Sequence, residues 1–210
     1  MQLIVLADAL QREEFFTATS GVDVVWIQEE EQFLQYTNAD AFLDLEFINE
    51  EMRVALLARL LPKPVIINSV TDTLKDIHSS FVRINGWNGF LSSTITEGAC
   101  QDVAIQQNVS KLFSNLGRKI EWLPDEPGFI TPRVISMIIN EAFISLGEGV
   151  STKEAIDTAM KLGTAYPYGP FAWAEKIGLQ NIVTLLKKLS ETQPRYAPSE
   201  WMVQETNKAI

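Results

Sequence analysis

Histidine and cysteine are nearly missing from this chain: His78 and Cys100 stand alone in 210 residues. A single cysteine excludes an intrachain disulfide and suits a reducing cytoplasm. It reads as a buried structural thiol rather than a nucleophile. No metal site is expected. Basic residues are also short, 17 against 27 acids for a net charge of −10. The deficit is local, because residues 1–60 hold twelve acids and only Arg12, Arg53 and Arg59 as bases. A polyphosphate chain needs the opposite sign, so nucleic acid is not an expected partner. No apolar run reaches membrane length, so no membrane partner is expected. The opening Met1–Asp8 has no basic region and carries an acid too early for a signal peptide. Glycine is absent from the first twenty residues; the first is Gly21.

What remains is a globular composition with 46% hydrophobic residues. Leu3–Leu6, Val22–Ile27, Ala41–Leu45 and Pro64–Ile67 are short apolar runs that predict buried strands. Between them lie helical stretches at residues 10–18, Glu29–Tyr36 and Asn49–Leu61, the last with Asn49 as its N-cap. Strand–helix alternation predicts a parallel sheet with right-handed crossovers. Val82–Ile84 adds a strand, residues 101–116 a helix closed by Gly117, and Lys119–Leu123 a last strand. The Pro124–Gly128 stretch then reads as a hinge. After it come helices. Pro132 suits a first turn, and Ile135, Ile138, Ile139, Ala142, Phe143 and Leu146 recur at helical spacing. Ser151–Glu154 reads as a capping box for a second helix closed by Gly163, and another helix stops at Gly178. The expected fold is α/β: a reduced Rossmann-like parallel-sheet domain over residues 1–126, then an all-α domain over 127–210.

The wording of that helical half is specific. Pro127-Gly128-Phe129-Ile130, Asn140-Glu141-Ala142, Glu148-Gly149-Val150, Ile156-Asp157-Thr158-Ala159-Met160, Gly163 and Tyr166-Pro167-Tyr168-Gly169-Pro170-Phe171 follow in fixed order. They resemble the C-terminal domain of 3-hydroxyacyl-CoA dehydrogenases. The resemblance implies an NAD-binding Rossmann domain before this point and a helical domain that dimerises. A homodimer through residues 132–205 is therefore expected, as the apolar face of Val134–Leu146 also suggests.

The family's site can be carried over position by position. Its His-Phe-Phe-Asn-Pro-Val motif matches Asn85-Gly86-Trp87-Asn88-Gly89-Phe90, which puts Asn85 where the general-base histidine stands. An amide does not titrate near neutral pH. Glu97, twelve residues on, holds the place of the glutamate that orients that histidine. Val70, after Asn68-Ser69, replaces the substrate-contacting serine, and Pro132 replaces a later asparagine. His78 lies seven residues before Asn85, out of register, and reads as a solvated histidine rather than a relocated base.

A dinucleotide fold needs a glycine-rich turn after its first strand. Here that strand runs into Asp8-Ala9-Leu10-Gln11-Arg12-Glu13-Glu14, so no cofactor is expected, and specific NAD binding least of all. The preferred reading is a non-catalytic member of the family in fatty-acid metabolism, with a CoA thioester or a protein as possible partner. Two alternatives stay open: an active NAD-dependent 3-hydroxyacyl-CoA dehydrogenase with relocated residues, and a purely structural dimeric assembly protein.

Overall fold

The structure, a computed structural model, describes residues 1–15 and 21–208. The chain separates into two compact units, Met1–Phe129 and Ile130–Ile210.

The first unit is a seven-stranded sheet with the strand order β2-β1-β3-β4-β5-β6-β7. Its strands are β1 (Gln2–Leu6), β2 (Asp23–Ile27), β3 (Ala41–Asp44), β4 (Val65–Asn68), β5 (Val82–Ile84), β6 (Ile95–Ala99) and β7 (Lys119–Trp122). Pairing is parallel from β2 through β5; β6 then runs antiparallel to β5, and β7 parallel to β6. The sheet is thus mixed, and β6 is a strand the sequence reading passed over. Thr96, Glu97 and Gly98 interrupt its apolar character, so nothing in it looked like a buried run.

Alternation along β1 shows how the sheet is covered on both faces. Leu3 and Val5 join Val109, Leu112 and Phe113 of α3 (Val103–Asn115) in one core. Ile4 and Leu6 join Phe33, Phe42 and Leu57 in the other. Helices α1 (Ala9–Phe15) and α2 (Glu51–Ala58) complete this unit, while Glu30–Gln35 is a 3₁₀ turn rather than an α-helix. Residues 16–18, expected as the end of the first helix, lie outside the described residues. Nor does Asn49 cap α2. Glu50 is the N-cap, and the Asn49 amide instead donates to Asp72 at 3.0 Å.

The chain leaves this unit under a clamp. Arg83, fully buried on β5, donates to Asp125 Oδ1 at 2.5 Å, to the Ser69 carbonyl at 3.1 Å and to the Glu126 carbonyl at 2.5 Å. Its guanidinium also lies 4.2 Å from the ring centre of Phe129. The exit segment needs holding, because Gly128 and Phe129 both adopt positive φ, 84° and 44°. For a phenylalanine that conformation is strained.

The second unit is all helical: α4 (Thr131–Gly147), α5 (Lys153–Thr164), α6 (Pro170–Ile177), α7 (Leu179–Ser190) and α8 (Glu200–Lys208). The residues that carried the family resemblance are its pins. Asn140, buried on α4, accepts from the Ser199 amide at 2.7 Å and donates to the Ala197 carbonyl at 3.1 Å. Asp157 of α5 reaches across to the start of α6, accepting from Phe171 and Ala172 amides at 2.8 and 3.0 Å. A side chain on Gly169 would strike Asp157, so that turn requires glycine. The Ser151 capping box does not form. Thr152 is the N-cap and accepts from Ala155, and the helix ends at Ala165 in the left-handed region rather than at Gly163.

Candidate active site

In an open α/β sheet the crevice beyond the carboxyl ends of the strands is where ligands bind, at the point where strand order reverses. Here β1 is that point, with β2 on one side and β3 on the other. The antiparallel pair also delivers residues to this edge. Its register sets Ile84 opposite Gly98, so the next residues out, Asn85 and Glu97, face each other. The Asn85 amide donates to the Glu97 carbonyl at 3.0 Å. Its side chain donates from Nδ2 to Glu97 Oε2 at 3.2 Å, and both residues are buried. Asn85 Oδ1 in turn accepts from the Trp87 backbone N–H at 3.3 Å. Two residues far apart in sequence thus form a pair that β6, the unforeseen strand, positions.

The neighbours lock it. Asn68, at the end of β4, accepts from the Gly86 N–H at 3.0 Å and donates to the Leu45 carbonyl at 3.1 Å. The same carbonyl accepts from Gln11 at 2.9 Å. A Cβ on Gly86 would lie 2.7 Å from Asn68 Cγ, so only glycine lets the backbone come this close. Sequence reading named Asn85 and Glu97 but not Asn68 or Gln11 as parts of this edge; isolated amides carry no pattern.

Val70 is buried nearby in sequence, and its carbonyl accepts from the Gly128 N–H at 2.7 Å. Its side chain offers nothing polar. Pro132 sits buried in the first turn of α4, in the second unit. His78 precedes β5 whereas Asn85 follows it, so the strand separates them. The imidazole stacks on Phe81 with ring centres 4.6 Å apart, and Nδ1 accepts from the Ser80 N–H at 3.2 Å.

The turn after β1 is closed on itself. Asp8 Oδ1 accepts from the Gln11 N–H at 2.7 Å, and Gln11 Oε1 accepts from the Asp8 N–H at 3.0 Å. This reciprocal cap satisfies two backbone donors at the start of α1. Burial, then the charge of Asp8, pushes the Glu46 carboxyl up, with Arg12 opposing. Asp44, at the end of β3, is gripped by the Arg53 fork at 2.8 and 2.9 Å. Burial pushes its carboxyl up to about 8. Arg53 also pairs with Glu30. No group of three His, Cys, Asp or Glu side chains could hold a metal among the described residues.

Residues 128–208 match the family model described as 3-hydroxyacyl-CoA dehydrogenase, C-terminal domain. Over that segment the resemblance to 3-hydroxyacyl-CoA dehydrogenases read from the sequence is borne out. Among curated relatives, 3-hydroxyadipyl-CoA dehydrogenase of Escherichia coli K12 is 42% identical over 107 residues, 50% of this chain and 22% of that protein. The 3-hydroxybutyryl-CoA dehydrogenase of Bradyrhizobium diazoefficiens is 35% identical over 111 residues, 52% of this chain and 38% of its own length. The matches thus span well under half of these relatives. The fold likeness extends further. The (S)-3-hydroxybutyryl-CoA dehydrogenase of Ralstonia eutropha superposes with a TM-score of 0.73 at 22% identity, covering 89% of this chain and 70% of that one.

This likeness corrects one expectation. The expectation of no cofactor does not stand, because the proteins this chain is similar to are NAD-dependent 3-hydroxyacyl-CoA dehydrogenases. Among the described residues no helix is long and apolar enough to cross a membrane.

Proposed function

We propose that this chain is a 3-hydroxyacyl-CoA dehydrogenase-like protein of fatty-acid metabolism that keeps the family's paired geometry without its proton chemistry. The observation that carries this reading is the buried contact of Asn85 Nδ2 with Glu97 Oε2 at 3.2 Å. A general base must accept the hydroxyl proton of the substrate near neutral pH, and a carboxamide does not. Here the amide is also occupied at both ends, by Glu97 and by the Trp87 N–H. What the edge can do is hold a carbonyl or hydroxyl by hydrogen bonds, which suits retention of a CoA thioester more than its oxidation. With a single thiol and no disulfide to form, we place the protein in the cytoplasm.

The test is turnover of 3-hydroxybutyryl-CoA at saturating NAD beside calorimetric titration with acetoacetyl-CoA. The expected result is thioester binding with no NADH formation above background. Turnover at the rates of working enzymes, about 1–1,000 per second, would replace this reading with that of an active dehydrogenase. Neither binding nor turnover would leave an assembly role.

We further propose a homodimer through the helical unit. Ile130, the N-cap of α4, and Val134 on the helix are more than half exposed. Beside them Met137, Ile138 and Tyr196 line a shallow cavity of about 390 Å³ rimmed by Arg133, Glu141 and Arg195. An apolar face with charges of both signs at its edge is what a self-complementary interface requires.

A further inference from the structure

A second cavity lies at the other edge of the sheet. It has a volume of about 350 Å³ and opens between the 3₁₀ turn Glu30–Gln35, the start of β3 and the end of α2. Its inner wall is apolar: Phe33 and Phe42 meet edge-to-face with ring centres 5.8 Å apart, joined by Leu60 and Leu61. Two cations complete the lining, Arg59 and Lys63.

The cations are out of place electrostatically. The first sixty residues carry twelve acids against three bases, yet neither Arg59 nor Lys63 pairs with a carboxylate among the described residues. Lys63 donates to the Thr37 carbonyl and, at 2.6 Å, to the Ala39 carbonyl, which leaves one ammonium proton uncommitted. Arg59 ends α2 exposed, with its guanidinium fork unclaimed by any acid. A greasy hole lined by two unpaired cations is complementary to one kind of molecule.

We infer that this cavity binds a small amphiphilic monoanion, an aliphatic carboxylate whose tail lies on Leu34, Leu61 and Pro62, the apolar lining left accessible above the buried Phe33–Phe42 pair, and whose head meets Arg59 and Lys63. Its size falls at the lower end of small-molecule sites, about 300–1,000 Å³, so a single short tail fits and a two-tailed lipid does not. The carboxylate can take the Arg59 fork through both oxygens. This site is at the amino-terminal edge of β3, whereas Asn85 and Glu97 stand past the carboxyl end of β5, so it does not depend on the function proposed above.

Octanoate is the probe, titrated into the full chain by calorimetry and followed by methyl NMR of Leu34, Leu60 and Leu61. The expected result is saturable binding with shifts confined to those methyls. Affinity should fall about fourfold for each methylene removed, as burial of a CH₂ predicts. Octanol should bind more weakly, and inorganic phosphate not detectably. Arg59→Gln should weaken octanoate about tenfold, the scale of a charge-assisted hydrogen bond, at an unchanged melting temperature. Lys63 is left alone because it holds the Thr37 and Ala39 carbonyls. The inference is overturned if octanoate fails to saturate in the low-millimolar range or if Arg59→Gln binds it as well as the wild type. Shifts that appear elsewhere in the sheet would overturn it equally.

Discussion

The contact between Asn85 and Glu97 puts a carboxamide against a carboxylate in a buried place, and its chemistry can be probed without any substrate. Asn85→Asp removes the Nδ2 donor and sets a second carboxyl against the first. Two close carboxyls cannot both ionise without a cost, so a loss of about 2 kcal/mol is expected at neutral pH, shrinking in acid where one of them takes a proton. Urea unfolding at two pH values measures it; an unchanged midpoint would mean that the amide–carboxylate bond contributes nothing. Asp44 allows a sharper test. Burial already holds its carboxyl up at about 8 against an unfolded value of 3.8, while the Arg53 fork grips the charged form. In Arg53→Met that cation is gone. A carboxyl with a raised folded pKa binds more protons folded than unfolded between those values, so stability falls as pH rises from about 4 to 8. The variant should therefore lose more stability at pH 8, where the wild-type carboxyl is about half ionised, than at pH 5, where it is neutral in both proteins. Denaturant melts of both proteins at each pH would show the trend; equal losses at both pH values would count against it.

At the scale of elements, the sheet's one antiparallel junction carries two jobs. At its outer end it sets Asn85 against Glu97, and at its inner end Arg83 holds the exit segment at residues 124–129. Arg83→Met leaves Asp125 without its cation and strands the Ser69 and Glu126 carbonyls, so a loss of about 3 kcal/mol is expected. Adding Asp125→Leu should restore part of it, since removing both charges is milder than removing one. Recovery should stay incomplete because Asp125 also accepts from the Leu74 N–H at 2.9 Å. The readout is a double-mutant cycle in urea, with exchange protection of the Gly128 amide as a local reporter. Additive losses would mean that the guanidinium acts through packing on Phe129 alone. Gly86 belongs to the same junction, and its place against Asn68 explains a glycine in what is otherwise a site motif.

For the whole molecule the testable matter is assembly. If the α4 face is covered by a second copy, then Val134→Asp, at a position about half exposed in the single chain, should shift the species measured by light scattering from dimer to monomer. Circular dichroism should be preserved. A wild-type monomer at tens of micromolar would remove the proposal, and a dimer that survives Val134→Asp would move the interface elsewhere.

The sequence by itself determined the strands that read as apolar runs, the first three helices of the second unit and the relation to 3-hydroxyacyl-CoA dehydrogenases. Those features are local. An apolar run of four residues or a helix stripe is written in neighbours, and the family's words are caps and close approaches such as Asn140, Asp157 and Gly169, whose roles tolerate little change. Only the tertiary structure decided that β6 exists, that it runs against β5, and that Asn85 and Glu97 are therefore bonded neighbours. It alone gathered Gln11, Leu45, Asn68 and Gly86 at one edge, and brought Arg59 and Lys63 to the rim of an apolar cavity at the other. Contacts between distant residues depend on strand order and register, and neither is encoded in the pattern of any single segment.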